Sequence, residues 1–422
     1  MVEFDPYDWA TCVDPYPVYR ELRDSAPVYH NENKQFWALS RYDDVAAAHL
    51  DTDTYRSSGG VTIEGREAVM PLLIVKDPPD HTWHRKLVNK VFTPRRIAEL
   101  EPFVRGRTRE LLDRVADRDE FDVVTEFSVL LPLDVISELI GIPADLRPQV
   151  HELSNRMTVR GDPDDPTNEQ EYAESLMALL QLYLGLVQER HANPREDVIT
   201  QLMTAEVVDE TDGTVRMLRD GEVAMRFLEL GFAGHETVAL LIPSALIGLR
   251  RFPEQRRKLL DDPGLVPGAV EEFLRWDPPS HLQGRTISRD VELHGVTIPA
   301  GQRVMLLTAA ASRDERVYDN PDRIDVTRPI KKQLGFGIGP HVCLGAALAR
   351  LETRVALEEI LARFPDYTID EDRAVRQVQT NVRGLSQLPL RPTSAEPIGV
   401  NLDVLPVFKH RDSHYATEED TR

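Results

Sequence analysis

The sequence predicts a mainly α-helical fold with a smaller β-rich part. Three observations carry that expectation. Apolar residues recur at threes and fours, the period of one helix face, over several long stretches, the longest at residues 221–251. Shorter stretches at residues 36–39, 291–298 and 366–390 have the short apolar runs, alternation and Gly or Pro punctuation of strands. At 422 residues, 41% apolar and 29% charged, the chain has the make-up of a soluble globular protein that can bury a sizeable core.

Composition also excludes several function classes. A net charge of −21 argues against nucleic acid and against an anionic membrane surface as partners. Two cysteines in so long a chain argue against a disulfide framework and fit a reducing compartment. The opening MVEFDPYDW has neither the basic nor the apolar region of a signal peptide. The longest apolar run, residues 238–249, is too short to span a bilayer and is broken by Pro243. The expectation is a cytoplasmic protein without a membrane anchor.

In chain order, Val18, Tyr19 and Leu22 give residues 15–25 helical spacing, and residues 36–39 read as a strand. Residues 42–50 read as a helix that Ser40 or Asp43 could cap. Gly59, Gly60 and Gly65 make residues 57–75 a loop. A helix starts after Pro78-Pro79, and His81 and Arg85, four apart, share one of its faces. Standing alone, that pair would be a solvated surface feature. Residues 99–115 form an amphipathic helix, residues 121–146 another that stops at Gly141-Ile142-Pro143, and residues 169–191 a long one rich in Leu and Met. Residues 162–166 form an acidic loop and residues 206–213 an exposed acidic turn. The longest helix carries Ala233-Gly234-His235-Glu236-Thr237 at its middle, which by itself reads as a packing notch. Glu272 and Arg275 lie three apart on the next helix. Such a pair is usually a surface contact worth under ~1 kcal/mol.

The stretch QLGFGIGPHVCLGAALARLE, residues 333–352, is the most informative. Gly335, Gly337 and Gly339 alternate before Pro340, and Leu344, Ala347, Leu348, Leu351 and Val355 then recur at helical spacing. Cys343 therefore stands where a tight loop meets a helix N-terminus, a position that stabilises an anion. A thiolate held there is a nucleophile or a metal ligand. Glycines allow turns closed to other residues and keep side chains away from a large flat group. An inert buried cysteine is the plain alternative. Zinc would need three or four ligands at finger-like spacing, and Cys12 lies in another context.

These residues resemble the haem-binding loop of the cytochrome P-450 family. Phe336, Gly337, Gly339, His341, Cys343 and Gly345 fit its F-G-x-G-x-H-x-C-x-G pattern. The resemblance implies that Cys343 is the axial thiolate on iron, and Phe336 and His341 part of the haem site. It extends to Ala233–Thr237, which fits the family's oxygen-activation motif: Gly234 lets a ligand approach, and Glu236 with Thr237 relays protons. It implies that His81, Arg85 and Arg285 reach the haem propionates. It also implies that Glu272, Arg275 and Arg323, in the loop Asn320-Pro321-Asp322-Arg323-Ile324, form a structural cluster. The family usually has Phe where Ile324 stands. The implied fold is a single domain over residues 1–392, with haem b between the long central helix and the Cys343 loop. Residues 393–422 are a polar C-terminal extension of the kind that is usually disordered.

The implied activity is a bacterial-type monooxygenase that inserts one atom of O2 into a small-to-medium apolar substrate and reduces the other to water. Electrons would come from a ferredoxin and its reductase, since two cysteines cannot hold an iron–sulfur cluster of their own. Pocket loops are expected at residues 57–75, 158–180, 280–284 and 384–388. Arg85, Lys86, Lys90, Arg95 and Arg96, with Lys331, Lys332, Arg350 and Arg354, could form a local positive patch for the donor. The alternatives are a haem-thiolate peroxygenase or isomerase, against which Glu236-Thr237 argues, or a non-catalytic haem sensor or ligand carrier.

Overall fold

The computed structural model describes residues 2–65, 68, 70–158, 166–377, 379–392 and 409–410. Helix accounts for 53% of residues and strand for 13%, so the mainly α expectation holds. The architecture is built round helix Asp220–Arg251. Its Val223, Phe227, Leu241, Ile242 and Leu246 are buried against helices Leu130–Ile140, Pro166–Ala192 and Ala346–Arg363. The Arg219 N–H donates to the Glu222 carboxylate at 2.9 Å and fixes the entry to this helix. Pro243, in its interior, has no N–H for the Ala239 carbonyl four residues back. The Ser128 hydroxyl donates to that carbonyl instead, at 2.9 Å, and the helix runs on unbroken.

Five strands pair in the order Val28–Asn31, Phe36–Leu39, Arg303–Leu306, Gln283–Ile287 and Tyr55–Arg56. Phe36–Leu39 runs parallel to Arg303–Leu306, and the other neighbours are antiparallel. Arg285 lies opposite Val304, on an inner strand where the backbone holds it firmly. Val28, Leu39, Val45, Ile287 and Leu306 form a second core on this sheet. Two three-stranded sheets and two two-stranded hairpins complete the β part among the described residues. One of the three-stranded sheets pairs Lys409–His410 in parallel with Val375–Gln377. The rest of the 393–422 extension and residues 159–165 of the acidic loop region lie outside the described residues.

Three local expectations need correction. Residues 121–146 do not form one helix: Phe121–Asp122 is a strand paired with Pro389 and Leu390. The Asp122 carboxylate ends it by accepting the Val124 and Thr125 N–H groups at 2.9 and 3.0 Å. Neither Ser40 nor Asp43 caps helix Tyr42–Leu50; the carboxylate of the distant Asp314 accepts the Tyr42 N–H at 2.9 Å. Residues 206–213 are not simply an exposed turn. They belong to a hairpin of Val207–Val208 and Val215–Arg216, and Asp209 is buried in it.

Candidate functional site

A cavity of ≈ 420 Å³ lies between the central helix and the Cys343 loop. From the loop side it is lined by Phe336, His341 and Cys343, and from the sheet and helix Asp80–Val91 by Arg285, His81 and Arg85. Gly234, Glu236 and Thr237 line it from the central helix.

The loop owes its shape to its glycines. Gly337 and Gly339 have φ of 65° and 76°, a conformation that side chains disfavour. Gly335 answers a close approach instead, since a Cβ there would lie 2.9 Å from the Leu274 carbonyl oxygen. The Cys343 N–H donates to the Phe336 carbonyl at 2.8 Å and closes the turn. Helix Ala346–Arg363 then begins after Gly345. The Cys343 thiol opens into the cavity. Burial pushes its pKa up, while the Gly345 N–H and the guanidinium groups of Arg85 and Arg350 pull it down. A thiolate is therefore stable here when a cation, such as a metal ion, meets the sulfur. The Arg350 guanidinium lies 4.5 Å from the Phe336 ring centre and pairs with Glu271, which fixes Phe336.

The cationic wall is built for an anion. Arg285 is buried, and burial lowers its pKa to about 10; its one polar contact given by the structure is to the Gly284 carbonyl, 2.7 Å away. Arg85 donates to Asn89 at 3.1 Å. Among the described residues neither arginine makes an ion pair with a carboxylate. The His81 and His341 rings lie 4.0 Å apart. Burial, and next the neighbouring charges, lower them to about 4 and about 3, so both are neutral at pH 7. Among the described residues His81 Nε2 is buried without a partner. An orphaned donor, one buried guanidinium and one half-buried guanidinium on a single wall fit a group bearing carboxylates.

On the central helix, a Cβ at Gly234 would lie 3.0 Å from Ile136, so this glycine also serves helix packing. The His235 Nδ1–H donates to the Gly231 carbonyl at 2.8 Å, which turns that ring away from chemistry. The Glu236 carboxylate accepts a hydrogen bond from the Gln379 amide at 2.9 Å. Among the described residues the Thr237 hydroxyl makes no hydrogen bond to protein, and the side chain faces the cavity.

The structural cluster needs one correction. Glu272 and Arg275 are fully buried and doubly bonded, at 2.7 and 2.8 Å. Their third partner is Arg328, whose Nε donates to Glu272 at 3.2 Å, and not Arg323. The reason is a turn. The Asp325 N–H donates to Glu272 at 2.8 Å, and the Arg323 carbonyl accepts from Arg275 at 3.2 Å. The Arg323 side chain is thereby turned outward to Glu254, 3.5 Å away, and is 60% exposed. Ile324, which stands where the family usually has Phe, is buried against Gly248.

Several lining residues escaped sequence reasoning. The last pocket wall comes from Asn381 and Val382, just before the expected 384–388. His49 lines the cavity with an Nε2 that has no partner among the described residues, and burial lowers its pKa to about 3. Glu352 also lines it, fully buried, and among the described residues neither carboxyl oxygen has a partner. Burial holds its pKa well above the usual 4.5. A carboxyl that keeps its proton when folded binds more protons than the unfolded chain, so folding loses stability as pH rises through the window above 4.5. Relative to Glu352→Gln, the unchanged chain should be equally stable at acid pH. Above the carboxylate range it should lose about 1.4 kcal/mol per pH unit until Glu352 ionises in the fold. Parallel thermal unfolding profiles of the two chains from acid to alkaline pH would contradict this.

A family model described as cytochrome P-450 matches residues 28–263 and 264–393. Cytochrome P-450 130 of Mycobacterium tuberculosis is 37% identical over 407 residues, covering 93% of this chain and 98% of that protein. Vitamin D(3) 25-hydroxylase of Pseudonocardia autotrophica is 38% identical over 387 residues, covering 89% of this chain and 93% of that protein. The solved structure of a cytochrome P-450 from Chondromyces apiculatus matches with a TM-score of 0.84 at 35% identity, covering 93% of this chain and 99% of that one.

Proposed function

This chain belongs to the cytochrome P-450 family, whose members are haem-iron monooxygenases, and we propose that it hydroxylates a small-to-medium apolar organic molecule with haem b held through Cys343. The observation that carries this reading is one cavity that joins an open thiol, the cations Arg85 and Arg285, which have no carboxylate partner among the described residues, and the Glu236-Thr237 segment. When bound, a thiolate-ligated haem iron supplies the activation of dioxygen for insertion of one atom into the substrate.

The rest is the work of this chain's residues. The Cys343 sulfur would hold the iron. Arg85, Arg285 and His81 would hold the carboxylates of the haem, and His341 and Phe336 line the same cavity. Val238, Leu241, Ile136 and Val382 exclude water and hold the substrate by its apolar surface. The Thr237 hydroxyl holds a proton at Oγ1, and the neighbouring Glu236, whose carboxylate accepts from Gln379, relays its replacement.

The electron donor in this reading is a ferredoxin served by a reductase. The positive patch proposed for its docking is largely neutralised within the chain. Lys86 pairs with Glu210 at 2.6 Å, Arg350 with Glu271 at 2.5 Å and Arg354 with Glu101 at 2.6 Å. Docking then rests on the few cations left over, such as the exposed Lys331 and Lys332. A cytoplasmic location is supported by two free cysteines. The one helix among the described residues that is long and apolar enough to cross a membrane has 67% of its apolar window buried in the fold.

The test is Thr237→Ala. Haem content and substrate affinity should stay within about twofold, while product per electron falls by roughly 10²-fold, the lower end of what one lost proton-transfer group costs, and peroxide rises in its place. Unchanged coupling would remove Thr237 from proton delivery. Absence of oxygenated product in the unchanged enzyme, with its donor supplied, would favour the sensor or carrier alternative.

A further inference from the structure

We infer that Glu229 is a specificity-determining residue: it fixes the wall formed by residues 70–75 to the central helix and so sets the size of molecule that the cavity admits. The inference rests on the reading above only in taking the cavity as the place where haem and an organic ligand meet.

Met70, Leu72, Leu73 and Ile74 line the cavity on one side. Among the described residues, the backbone–backbone hydrogen bonds of this part of the chain are local ones, Ala68 to Gly65 and Lys76 to Leu73. Besides the burial of Leu73 and Val75, a clasp on the central helix ties it to the fold among the described residues. The Glu229 carboxylate accepts the Leu73 N–H at 2.9 Å on one oxygen and the Ile74 N–H at 3.0 Å on the other. These are the first N–H groups of the short turn Leu73–Val75, which the turn itself leaves unpaired. Arg226, one helical turn earlier, donates to Glu229 at 2.6 Å and also to the Pro71 carbonyl oxygen. Both side chains are well covered, 2% and 15% exposed, so water competes little for these bonds.

The chemistry selects a carboxylate. Two N–H donors that sit side by side need two acceptor oxygens, and an ionised carboxylate is the side chain that presents both. A glutamine offers one oxygen and one NH2 group, and the NH2 donors would face a backbone N–H. Arg226 compensates the buried charge and grips the wall at a third point. The sequence hides all of this, because Glu229 and Arg226 read as an ordinary one-turn helix pair.

The experiment uses the haem-loaded full chain, Glu229→Gln, and two graded variants, Glu229→Asp and Arg226→Lys. Hydrogen exchange reads the Leu73 and Ile74 amides, and haem absorption reads the binding of imidazole and of the bulkier phenylimidazole. In Glu229→Gln the two amides should exchange roughly tenfold faster, the scale of one lost buried hydrogen bond. The ratio of phenylimidazole to imidazole affinity should change by about tenfold, the scale on which a pocket contact discriminates, with imidazole itself nearly unaffected. Glu229→Asp and Arg226→Lys should fall between; they keep the test open if Glu229→Gln takes up little haem. Unchanged amide exchange overturns the clasp. Faster exchange with an unchanged affinity ratio overturns the specificity role. Failure of the monooxygenase reading would show elsewhere, as a chain that binds both imidazoles yet makes no oxygenated product.

Discussion

Cys343→Ala is expected to abolish substrate turnover and the thiolate-type carbon-monoxide spectrum of the reduced protein. The expectation follows from where sulfur is found in this chain. The Cys343 thiol opens into the cavity, and the Gly345 N–H and the Arg85 and Arg350 guanidiniums favour its anion. Cys12 cannot substitute: it lies outside that cavity, and burial raises its pKa to about 11. Cys343→His should retain some haem through imidazole ligation while losing the thiolate signature, which separates loss of the ligand from loss of the pocket. Thiolate donation to iron is what favours O–O cleavage, so turnover should be lost in both variants. A purified Cys343→Ala protein that kept the thiolate spectrum would show that another residue holds the iron.

What could be read from the sequence was whatever depends on near neighbours. Gly337 and Gly339 announce a loop that only left-handed residues can follow, and the helix after Cys343 announces itself by period. His81 and Arg85 are four apart and share a helix face, so their convergence on one cavity needed no knowledge of the tertiary fold. Glu352 was legible in principle. It stands among the buried Leu348, Leu351 and Val355, a polar group inside an apolar stripe.

What could not be read is set by the approach of distant segments. Gln379 reaches Glu236, Asp314 caps the helix that starts at Tyr42, and Glu229 meets Leu73, all across large sequence separations. Hydrogen-bond partners of this kind leave no periodic trace. Arg323 was misplaced for the same reason. Two arginines lie in one loop, and the backbone turn at Asp325 decides which of them faces inward.

That turn makes the last prediction sharp. Glu272→Ala and Arg275→Ala should each yield chain with little haem, and thermal unfolding should show a loss of about 3–5 kcal/mol, the cost of leaving a buried charge without its partner. This is a large part of the total stability of a folded domain. The pair does more than neutralise itself. Arg275 also donates to the carbonyls of Ser312, Pro321 and Arg323, and Glu272 accepts the Asp325 N–H, so one ion pair gathers the loop over residues 312–328. Arg275→Lys should be nearly as harmful, because an ammonium cannot make the double bond to Glu272 and reach these carbonyls together. Arg328→Ala, at the rim of the cluster and 14% exposed, should cost less. Arg323→Ala should cost nothing measurable, because its contact with Glu254 is an exposed pair. Haem content and unfolding of the two arginine variants decide between the assignments: if Arg323→Ala proved as damaging as Arg328→Ala, the inward-facing residue would be misassigned.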